Sequence, residues 1–357
     1  MFNIHCSTYI NSGAVSFYRM KSITDILSYR LLGKSAFIES PMPMRDNIIL
    51  SNAKSYRVQR LCTESTIKWL YTIASYRNKN KKLKLIYDFD DMMDYENIPT
   101  YNNHKNCYFN TENYIKEAMN LVDIITTTND TLLDFYSDRF NINKNKFVVI
   151  PNYIPKYIFD NCKTKSDIIL NYKQNIKRPR IVFCCGSEHV NIFKDSSNPV
   201  DDFYYIRKWI RKNVDKYQFV FVGCPVPLYL KDLTSKFEVH TGCNILNYPQ
   251  FRLGLNATIY VQPLLDNIFN KCKSTIKLTE AWVEKVPVLV SNISNYSSFD
   301  SSCVFKDEDD LDQKVTELLN SLDFYVYTSV NNYNKMFKNK LWLEDNLDKW
   351  LNVINRD

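Results

Sequence analysis

The residues best suited to chemistry lie in the stretch 267–280, where lysines and a glutamate recur at helical spacing. A helix here would present Lys273, Lys277 and Glu280 on one face. Ser274 is a good N-cap for that helix, which meets no Gly or Pro before residue 283. A helix start, two ammonium groups and a carboxylate can together hold a diphosphate and a sugar hydroxyl. The alternative is a surface helix whose charged side chains are solvated.

Two apolar runs flank this stretch and predict the elements that position it. Residues 259–261 and 286–290 are typical of buried parallel strands, with the helix crossing between them. Gly13, Gly186 and Gly223 each come shortly after a predicted strand. Open parallel sheets bind ligands where a strand is followed by a glycine and then a helix. A glycine there can also simply make a tight turn.

Strands alternate with helices along the whole chain, which predicts an α/β fold with doubly wound parallel sheets. The alternation pauses in the polar segment 156–178, where we expect the crossing between two domains. The first domain would cover 1–155 and the second 179–330. A C-terminal helix within 331–357 would pack back toward the first domain. The predicted strands are 2–8, 35–39, 56–62, 84–89, 123–128, 147–150, 180–185, 219–222, 259–261 and 286–290.

Composition sets broad limits on function. The chain has 357 residues and a formal net charge of +7, which permits contact with phosphates, nucleic acid or anionic lipid without requiring it. No run predicts a transmembrane helix or a signal peptide, so we expect a cytoplasmic protein or one peripheral to a membrane. The ten cysteines form no Cys-x-x-Cys pair, which indicates reduced thiols without a zinc site. The abundance of Asn, Lys, Ile and Tyr fits an AT-rich genome such as that of a phage.

Four aspartates at the end of the predicted strand 84–89 are further candidates: Asp88, Asp90, Asp91 and Asp94. Clustered carboxylates can bind Mg²⁺ or act as a base toward an acceptor hydroxyl. They can also cap a helix or pair with Lys and Arg, and we favour a structural or acceptor-positioning role. Arg19 and Arg60 suit either an anionic ligand or ordinary surface salt bridges.

Four short motifs resemble those of retaining glycosyltransferases with the GT-B fold, in particular family 4 of the carbohydrate-enzyme classification. Residues 85–91 are similar to the Tyr-Asp-hydrophobic-Asp-Asp strand end of one branch of that family. Residues 149–152 resemble the Ile-Pro-Asn that leads out of the first domain, and 183–187 the Gly-Ser turn that opens the second. The most specific match, 263–288, follows the family's Pro-Leu, Asn, Phe-Asn, Lys-Ser, Lys, Glu, Pro-Val pattern.

The resemblance implies two Rossmann-like domains facing a cleft, with a nucleotide sugar held mostly by the second domain and the acceptor by the first. Glu280 would bind the ribose hydroxyls, and Lys277 the diphosphate beside the backbone of Ser274. The other donor-binding residues implied by the resemblance are Gly13, Gly186, Ser187, Asn270 and Lys273. A UDP-sugar is the expected donor. No obligatory metal is expected, although Mg²⁺ is compatible with the scheme.

By the same resemblance we expect Asp90, Asp91 and His189 at the reacting centre. Breaking the sugar–phosphate bond needs charge stabilisation more than a protein nucleophile. Lys273, Lys277 and a helix N-terminus suit the negative charge that builds on the departing diphosphate.

The sequence departs from the family pattern at two places. The family often carries a Glu eight positions before the ribose Glu, and this chain has Cys272 there. Asn270 and Lys273 would take over some of its sugar contacts. One branch of the family also shows Gly-Ser-x-x-His-x-x-Asp, whereas here His189 comes one residue early and Asp195 is displaced.

These observations predict a nucleotide-sugar-dependent glycosyltransferase that acts with retention. The acceptor would be a surface glycan, a lipid-linked sugar, or phage DNA that carries a hydroxymethylated pyrimidine. Two alternatives stay open, a non-catalytic protein of the same fold that binds a nucleotide sugar or a partner, and a nucleotide-sugar epimerase. A basic, salt-sensitive groove on the first domain would favour DNA, and an apolar patch with a basic rim would favour lipid.

Overall fold

Two parallel sheets of six strands each form the frame of the molecule. The structure, a computed structural model, describes residues 2–7, 13–29, 35–39, 47–60, 62–159, 163–192 and 200–355. We call the first sheet with its flanking helices the first domain, and the second sheet with its helices the second domain. The predicted α/β architecture of two doubly wound parallel sheets is confirmed.

The first sheet has the strand order β2-β1-β3-β4-β5-β6, and the second has the order β12-β11-β10-β7-β8-β9. The strands of the first sheet are β1 (Phe2–Ser7), β2 (Ser35–Glu39), β3 (Ala53–Gln59), β4 (Lys84–Asp88), β5 (Ile124–Thr127) and β6 (Phe147–Val149). Those of the second are β7 (Arg180–Cys184), β8 (Gln218–Val222), β9 (Glu238–His240), β10 (Ile259–Gln262), β11 (Val288–Ser291) and β12 (Val304–Phe305).

Helices connect the strands. In the first domain these are α1 (Ala14–Ser16), which continues through a π-helical turn into α2 (Ser22–Tyr29), then α3 (Asn47–Asn52), α4 (Glu64–Ser75), α5 (Glu112–Leu121) and α6 (Asp130–Phe140). The remaining helices are α7 (Lys156–Phe159), α8 (Lys165–Asn175), α9 (Arg207–Asn213), α10 (Tyr248–Gly254), α11 (Ile268–Lys271), α12 (Ile276–Val283), α13 (Ser294–Phe299), α14 (Glu308–Asn320), α15 (Leu322–Lys338) and α16 (Leu347–Asn355). No helix in the described ranges could span a membrane.

Both faces of the second sheet are buried, which explains its continuous apolar strands. Ile181 and Phe183 of β7 belong to one core cluster, and Val182 and Cys184, which alternate with them, belong to another. Successive residues of a strand point to opposite faces, so each face of β7 has its own core. The cysteines of this run act as small core residues.

Two segments differ from the predicted pattern. The polar segment 156–178 contains α8, which begins at a capping box formed by Thr164 and Asp167. The C-terminal segment forms α15 and α16 instead of one helix. The chain leaves the helix between them because the backbone N–H of Ile154 donates to Leu341 and that of Leu343 donates to Ile154, at 3.2 and 2.8 Å.

The last helix packs on the first domain. Trp350 of α16 belongs to a core cluster that includes Ile23, Ile86 and Ile150. The centre of its ring lies 3.8 Å from the guanidinium carbon of Arg57 and 4.7 Å from that of Arg19. Helix α16 therefore packs against the first domain.

Candidate active site

Loops at the carboxyl ends of the two sheets meet across a cleft. Residues that follow β4, β5 and β6 contact residues that follow β7 and β10, as expected when two parallel sheets face each other by their ligand-binding edges. The cross-domain contacts are Tyr18–Glu280 (2.9 Å), Tyr101–Asp202 (2.8 Å), Asn103–Ser187 (2.8 Å), Asn129 with the carbonyl of Lys273 (3.1 Å), Asn152–Ser274 (3.1 Å) and Asp91–Lys273 (3.6 Å).

Glu280 lies at the centre of one group of these contacts. Its side chain is 2 % exposed and accepts hydrogen bonds from Tyr18, Tyr248, Arg252 and Lys277 at 2.9 to 3.4 Å. Burial alone would raise the pKa of Glu280, but the positive charges of Lys277 and Arg252 lower it. The interpretation of this helix as a solvated surface helix is therefore wrong.

Lys277 keeps 30 % of its side chain exposed while its Nζ contacts Glu280 at 3.4 Å and Tyr248 Oη at 3.3 Å. Burial alone would lower the pKa of Lys277, but the Glu280 carboxylate raises it well above its usual value. The lysine therefore remains charged at the edge of a buried network, where it can meet an anionic ligand.

The helix that carries these residues begins later than predicted. The first residue of α12 is Ile276, and its N-cap is Thr275, which makes no side-chain cap hydrogen bond. Ser274 is not the N-cap: its Oγ accepts a hydrogen bond from Asn152 Nδ2 at 3.1 Å. The first-turn N–H groups of α12 thus lack the usual side-chain cap.

Lys273 precedes α12 and reaches the first domain. Its Nζ lies 3.6 Å from Asp91 Oδ2 and 4.5 Å from the centre of the Phe269 ring. Arg60 pairs with Asp90 at 2.6 Å and with Asp91 at 3.8 Å. The Asp90 side chain is 5 % exposed and that of Asp91 is 25 % exposed, so Asp91 is the aspartate that a ligand in the cleft can reach.

The turn after β7 presents a second carboxylate to the cleft. Glu188 folds over Gly186, where a Cβ would lie 2.0 Å from Glu188 Oε2, so a larger residue would displace the carboxylate. Ser187 Oγ accepts a hydrogen bond from Asn103 at 2.8 Å. Burial alone would raise the pKa of Glu188, but His189 and Lys273 lower it to about 2. This carboxylate therefore stays ionised.

Asp202 is the most connected site residue that sequence reasoning missed. Its Oδ2 lies 2.7 Å from His189 Nδ1 and accepts a hydrogen bond from that ring nitrogen, since a carboxylate oxygen acts as an acceptor. Its Oδ1 accepts from Tyr101 Oη at 2.8 Å, from Asn270 Nδ2 at 2.7 Å and from the Leu265 N–H at 2.8 Å. One buried carboxylate thus orients two predicted site residues and joins the domains.

The sequence held a weak signal for this pairing. Asp195, the displaced aspartate of the Gly-Ser-x-x-His-x-x-Asp pattern, lies outside the described residues. The Asp201-Asp202 pair comes next along the chain and precedes the apolar run 203–206, so a longer loop before the aspartate is compatible with the sequence. Asn270 Oδ1 is buried and makes no hydrogen bond.

Two glycines after strands differ in what they require. Gly223 has a φ of 77°, and a Cβ there would lie 2.7 Å from the Cys185 carbonyl oxygen, so its place after β8 needs a glycine. Gly13 begins α1 with ordinary backbone angles and has nothing near its Cβ position. A donor-phosphate role for Gly13 stays a prediction.

Cys272 stands where the resemblance would place a sugar-binding carboxylate, and it is not in the cleft. Its side chain is fully buried and packs, with Phe269, into the core cluster of the first domain beside Met93 and Tyr136. The short helix α11 therefore docks the second domain onto the first through apolar contacts.

Asp88 and Arg19 belong to a buried structural pair instead of the site. Asp88 accepts from Arg19 at 2.6 and 3.1 Å, from Arg57 at 3.2 Å and from Thr126. Burial alone would raise the pKa of Asp88, but the two arginines lower it. The proposed surface or ligand role of Arg19 is therefore wrong. Among the described residues, no group of three or more His, Cys, Asp or Glu is arranged to hold a metal ion.

A cavity of about 630 Å³, which we call the cleft cavity, lies between the domains. Its walls come mainly from the first domain, with Glu188 and Phe269 contributed by the second. Those from the first domain are Val15, Arg60, Cys62, Thr63, Ser65, Thr66, Asp91, Met92, Asn102, His104, Cys107 and Tyr108.

No protein-family model matches this sequence, and no curated protein matches it either. Solved structures, in contrast, share its fold over nearly the whole chain. HepE from Anabaena in complex with UDP superposes with a TM-score of 0.63 at 10 % identity, covering 99 % of this chain and 100 % of its own. A glycosyltransferase from Rickettsia africae gives a TM-score of 0.62 at 14 % identity, covering 99 % and 98 %.

An alpha-glucosyltransferase, solved with UDP and a 13-mer DNA containing a central A:G mismatch, gives a TM-score of 0.63 at 10 % identity and covers 99 % of both chains. These similarities show that the chain has the GT-B fold, as predicted from the motifs. At such identities they show the fold, and the chemistry has to be argued from the residues in the cleft.

Proposed function

We propose that this chain is a glycosyltransferase that moves a sugar from a nucleotide sugar, with UDP as the expected nucleotide, to an acceptor hydroxyl with retention of configuration. One observation carries the proposal: Lys277 and Glu280 pair on α12 at 3.4 Å, and Lys273, just before this helix, reaches Asp91 of the first domain at 3.6 Å. Two of these residues contact the first domain across the cleft, so the site lies where both domains can reach one ligand.

The donor would lie along the second domain. Lys277 and the first turn of α12 bind the diphosphate, and Glu280 accepts hydrogen bonds from the ribose hydroxyls. HepE and the alpha-glucosyltransferase of the same fold bind UDP, which supports this choice of nucleotide. Ribose hydroxyls would have to displace or share the hydrogen bonds that Tyr18 and Tyr248 now donate to Glu280.

In the proposed reaction the bond between the anomeric carbon and the diphosphate oxygen breaks first. Lys273 and Lys277 stabilise the negative charge that develops on the diphosphate. The acceptor oxygen then bonds to the anomeric carbon from the same face, and its proton passes to the departing diphosphate. Asp202 holds His189 beside Glu188, and these residues would orient the sugar during the transfer.

Donor turnover tests the proposal. A panel of UDP-sugars and other nucleotide sugars is incubated with the protein without an acceptor, and free sugar, UDP and melting temperature are measured. We expect one donor to raise the melting temperature and to be hydrolysed slowly. Donor binding without hydrolysis would favour the non-catalytic alternative, and conversion of the donor sugar would favour the epimerase. If no nucleotide sugar binds or reacts, the proposal is wrong.

A matched pair of substitutions tests the role of Glu280. Glu280 of α12 and Glu284, the C-cap residue of that helix, are one turn apart, and both pair with Arg252. Glu280→Gln should weaken UDP binding by roughly tenfold or more, because a hydrogen bond to a charged group is lost. Glu284→Gln should change stability but not UDP affinity. Equal losses of UDP affinity would show that Glu280 acts only through Arg252.

A further inference from the structure

We infer that the cleft cavity binds the acceptor and that this acceptor is a neutral sugar, an inference that rests on the proposed function. The cavity adjoins the expected diphosphate site through two of its lining residues. Lys273 Nζ lies 3.6 Å from Asp91 and 4.5 Å from the centre of the Phe269 ring. A molecule in the cavity would thus lie beside the group that departs from the anomeric carbon.

The charges around the cavity disfavour an anionic acceptor. Among its described lining residues, Arg60 is opposed by two carboxylates, Asp91 and Glu188. Arg60 is already paired with Asp90 at 2.6 Å and with Asp91 at 3.8 Å. Glu188 stays ionised, as its lowered pKa shows. A phosphate entering the cavity would meet the Asp91 and Glu188 carboxylates, and the cations beside it, Arg60 and Lys273, are already paired with aspartates.

A helix start at the cavity is also closed to phosphate. Helix α4 begins at a capping box in which Thr63 and Thr66 each bond the other's backbone N–H, at 3.3 and 3.0 Å. Glu64 in the first turn adds a negative charge where an anion would have to approach. The N–H groups that often bind phosphate are thus partly satisfied within the helix.

The rest of the lining suits a sugar. Carboxylates accept hydrogen bonds from sugar hydroxyls, and the side chains of Ser65 and Asn102 can both donate and accept. Phe269 and Tyr108 offer aromatic surface to the C–H faces of a sugar ring. A volume of about 630 Å³ lies in the usual range for pockets that hold a small ligand.

A group of cations lies at the other edge of the first sheet. Lys81, Lys82 and Lys84 line a separate cavity of about 440 Å³ with Arg77. Strand β4 begins at Lys84 and runs toward the cleft, which places this edge roughly 13 Å from the cleft edge. DNA and anionic lipid both need clustered cations, and Arg60 is the single arginine or lysine among the described residues that line the cleft cavity.

The inference is tested with the wild-type protein. The donor is UDP-glucose, or whichever nucleotide sugar is found to be hydrolysed. UDP release is measured alone and with neutral mono- and disaccharides, with duplex DNA containing hydroxymethylcytosine, or with anionic vesicles carrying a lipid-linked sugar. We expect a neutral saccharide to raise UDP release and to gain one hexose by mass. That rate should change little between about 50 and about 200 mM salt, whereas a DNA-dependent rate would fall steeply.

The outcomes separate the two proposals. If the donor is hydrolysed but only DNA or only vesicles accelerate UDP release, the neutral-sugar inference is wrong and the proposed function stands. Donor hydrolysis that no saccharide in the panel accelerates also overturns the inference. If no donor is bound or hydrolysed, the proposed function itself fails.

Substitutions then locate the acceptor. Cys107→Trp would fill the cleft cavity from its exposed rim, and it should raise the acceptor KM roughly tenfold or more while the donor KM is little changed. Cys107→Ser is the size-matched control. Lys82→Glu, at the far edge, should leave saccharide transfer unchanged. An acceptor KM that responds to Lys82→Glu but not to Cys107→Trp would place the acceptor elsewhere.

Discussion

The phenolic oxygen of Tyr18 donates a hydrogen bond to Glu280 Oε1 at 2.9 Å, although 262 residues separate the two in sequence. Both side chains are buried, and they come from different domains. The first domain therefore holds the carboxylate that is predicted to bind ribose. A ribose hydroxyl that reaches Glu280 Oε1 would have to share or replace this hydrogen bond.

Tyr18→Phe tests how much this hydrogen bond contributes to the free energy of unfolding. The substitution removes one donor from a buried carboxylate and should lower the free energy of unfolding by about 1–3 kcal/mol. Urea unfolding of both proteins, followed by circular dichroism, measures the difference. Tyr29→Phe is the control, since Tyr29 lies exposed at the end of α2. Equal stability of the wild type and Tyr18→Phe would show that the contact contributes little.

Lys273→Met should act on turnover. Lys273 faces the expected leaving group, so its loss should lower kcat for donor hydrolysis by roughly 100-fold, as when one preorganised charge is removed from a developing anion. Lys271→Met is the matched control, because Lys271 pairs with Asp266 at 2.6 Å. A donor KM that rises while kcat is unchanged would assign Lys273 to ground-state binding only.

Asp202→Asn tests the hydrogen-bond centre of the cleft. Three donors meet at Oδ1, so the asparagine oxygen should occupy that position and its amide should face His189 Nδ1. An amide donor at that position would force His189 Nδ1 to accept, which moves the ring proton to Nε2. The change of tautomer should lower kcat by roughly 100-fold without unfolding the protein. The ¹⁵N shifts of the His189 ring report the tautomer. Tyr101→Phe, which removes only the cross-domain donor, should cost less activity.

Patterns that depend on neighbours along the chain were predictable. The apolar runs located the central strands, because strands buried on both faces are continuously apolar, as in β7 and β11. The spacing predicted that Lys273, Lys277 and Glu280 share one helix face. Lys277 and Glu280 do lie on α12, whereas Lys273 precedes this helix. The break before Ile276 was not predictable, because it depends on Asn152, which binds Ser274 from the other domain.

Contacts between distant residues account for what sequence reasoning missed. Tyr18 and Tyr101 carry no motif, and their roles follow from the way the domains face each other. Helix α8 was missed because its residues have little amphipathic pattern, although the Thr164 and Asp167 caps were visible in the sequence. The split between α15 and α16 depends on pairing with Ile154, which no local pattern reveals.

Cys272→Glu introduces the residue that the resemblance would place at this position, and we expect the substitution to lower both stability and activity. Position 272 is fully buried against the core of the first domain, where a carboxylate would lose its hydration. Melting temperature should fall, and donor turnover should fall with it. Cys272→Ala is the control and should cost far less stability. Increased turnover in Cys272→Glu would show that α11 can leave the first domain and turn this position into the cleft.

The last prediction concerns pH. Burial raises the pKa of Asp201 to about 6. Hydrogen bonds from Tyr229 and from the N–H groups of Asn191 and Phe203 favour the charged form, but they offset only part of this rise. The folded protein therefore binds this proton more tightly than the unfolded chain, whose aspartate has a pKa of about 4. The contribution of Asp201 to stability is present below pH 4 and is lost as pH rises toward 6.

The difference in unfolding free energy between the wild type and Asp201→Asn isolates this contribution. Asparagine does not titrate. As pH rises from 4 to 6.5, the wild type should therefore lose up to roughly 3 kcal/mol of unfolding free energy relative to Asp201→Asn, and above pH 6.5 the difference should stay constant. Urea unfolding at constant ionic strength measures it at each pH. A difference that moves in favour of the wild type as pH rises would show that the hydrogen bonds from Tyr229 and the backbone outweigh the cost of burying the charge.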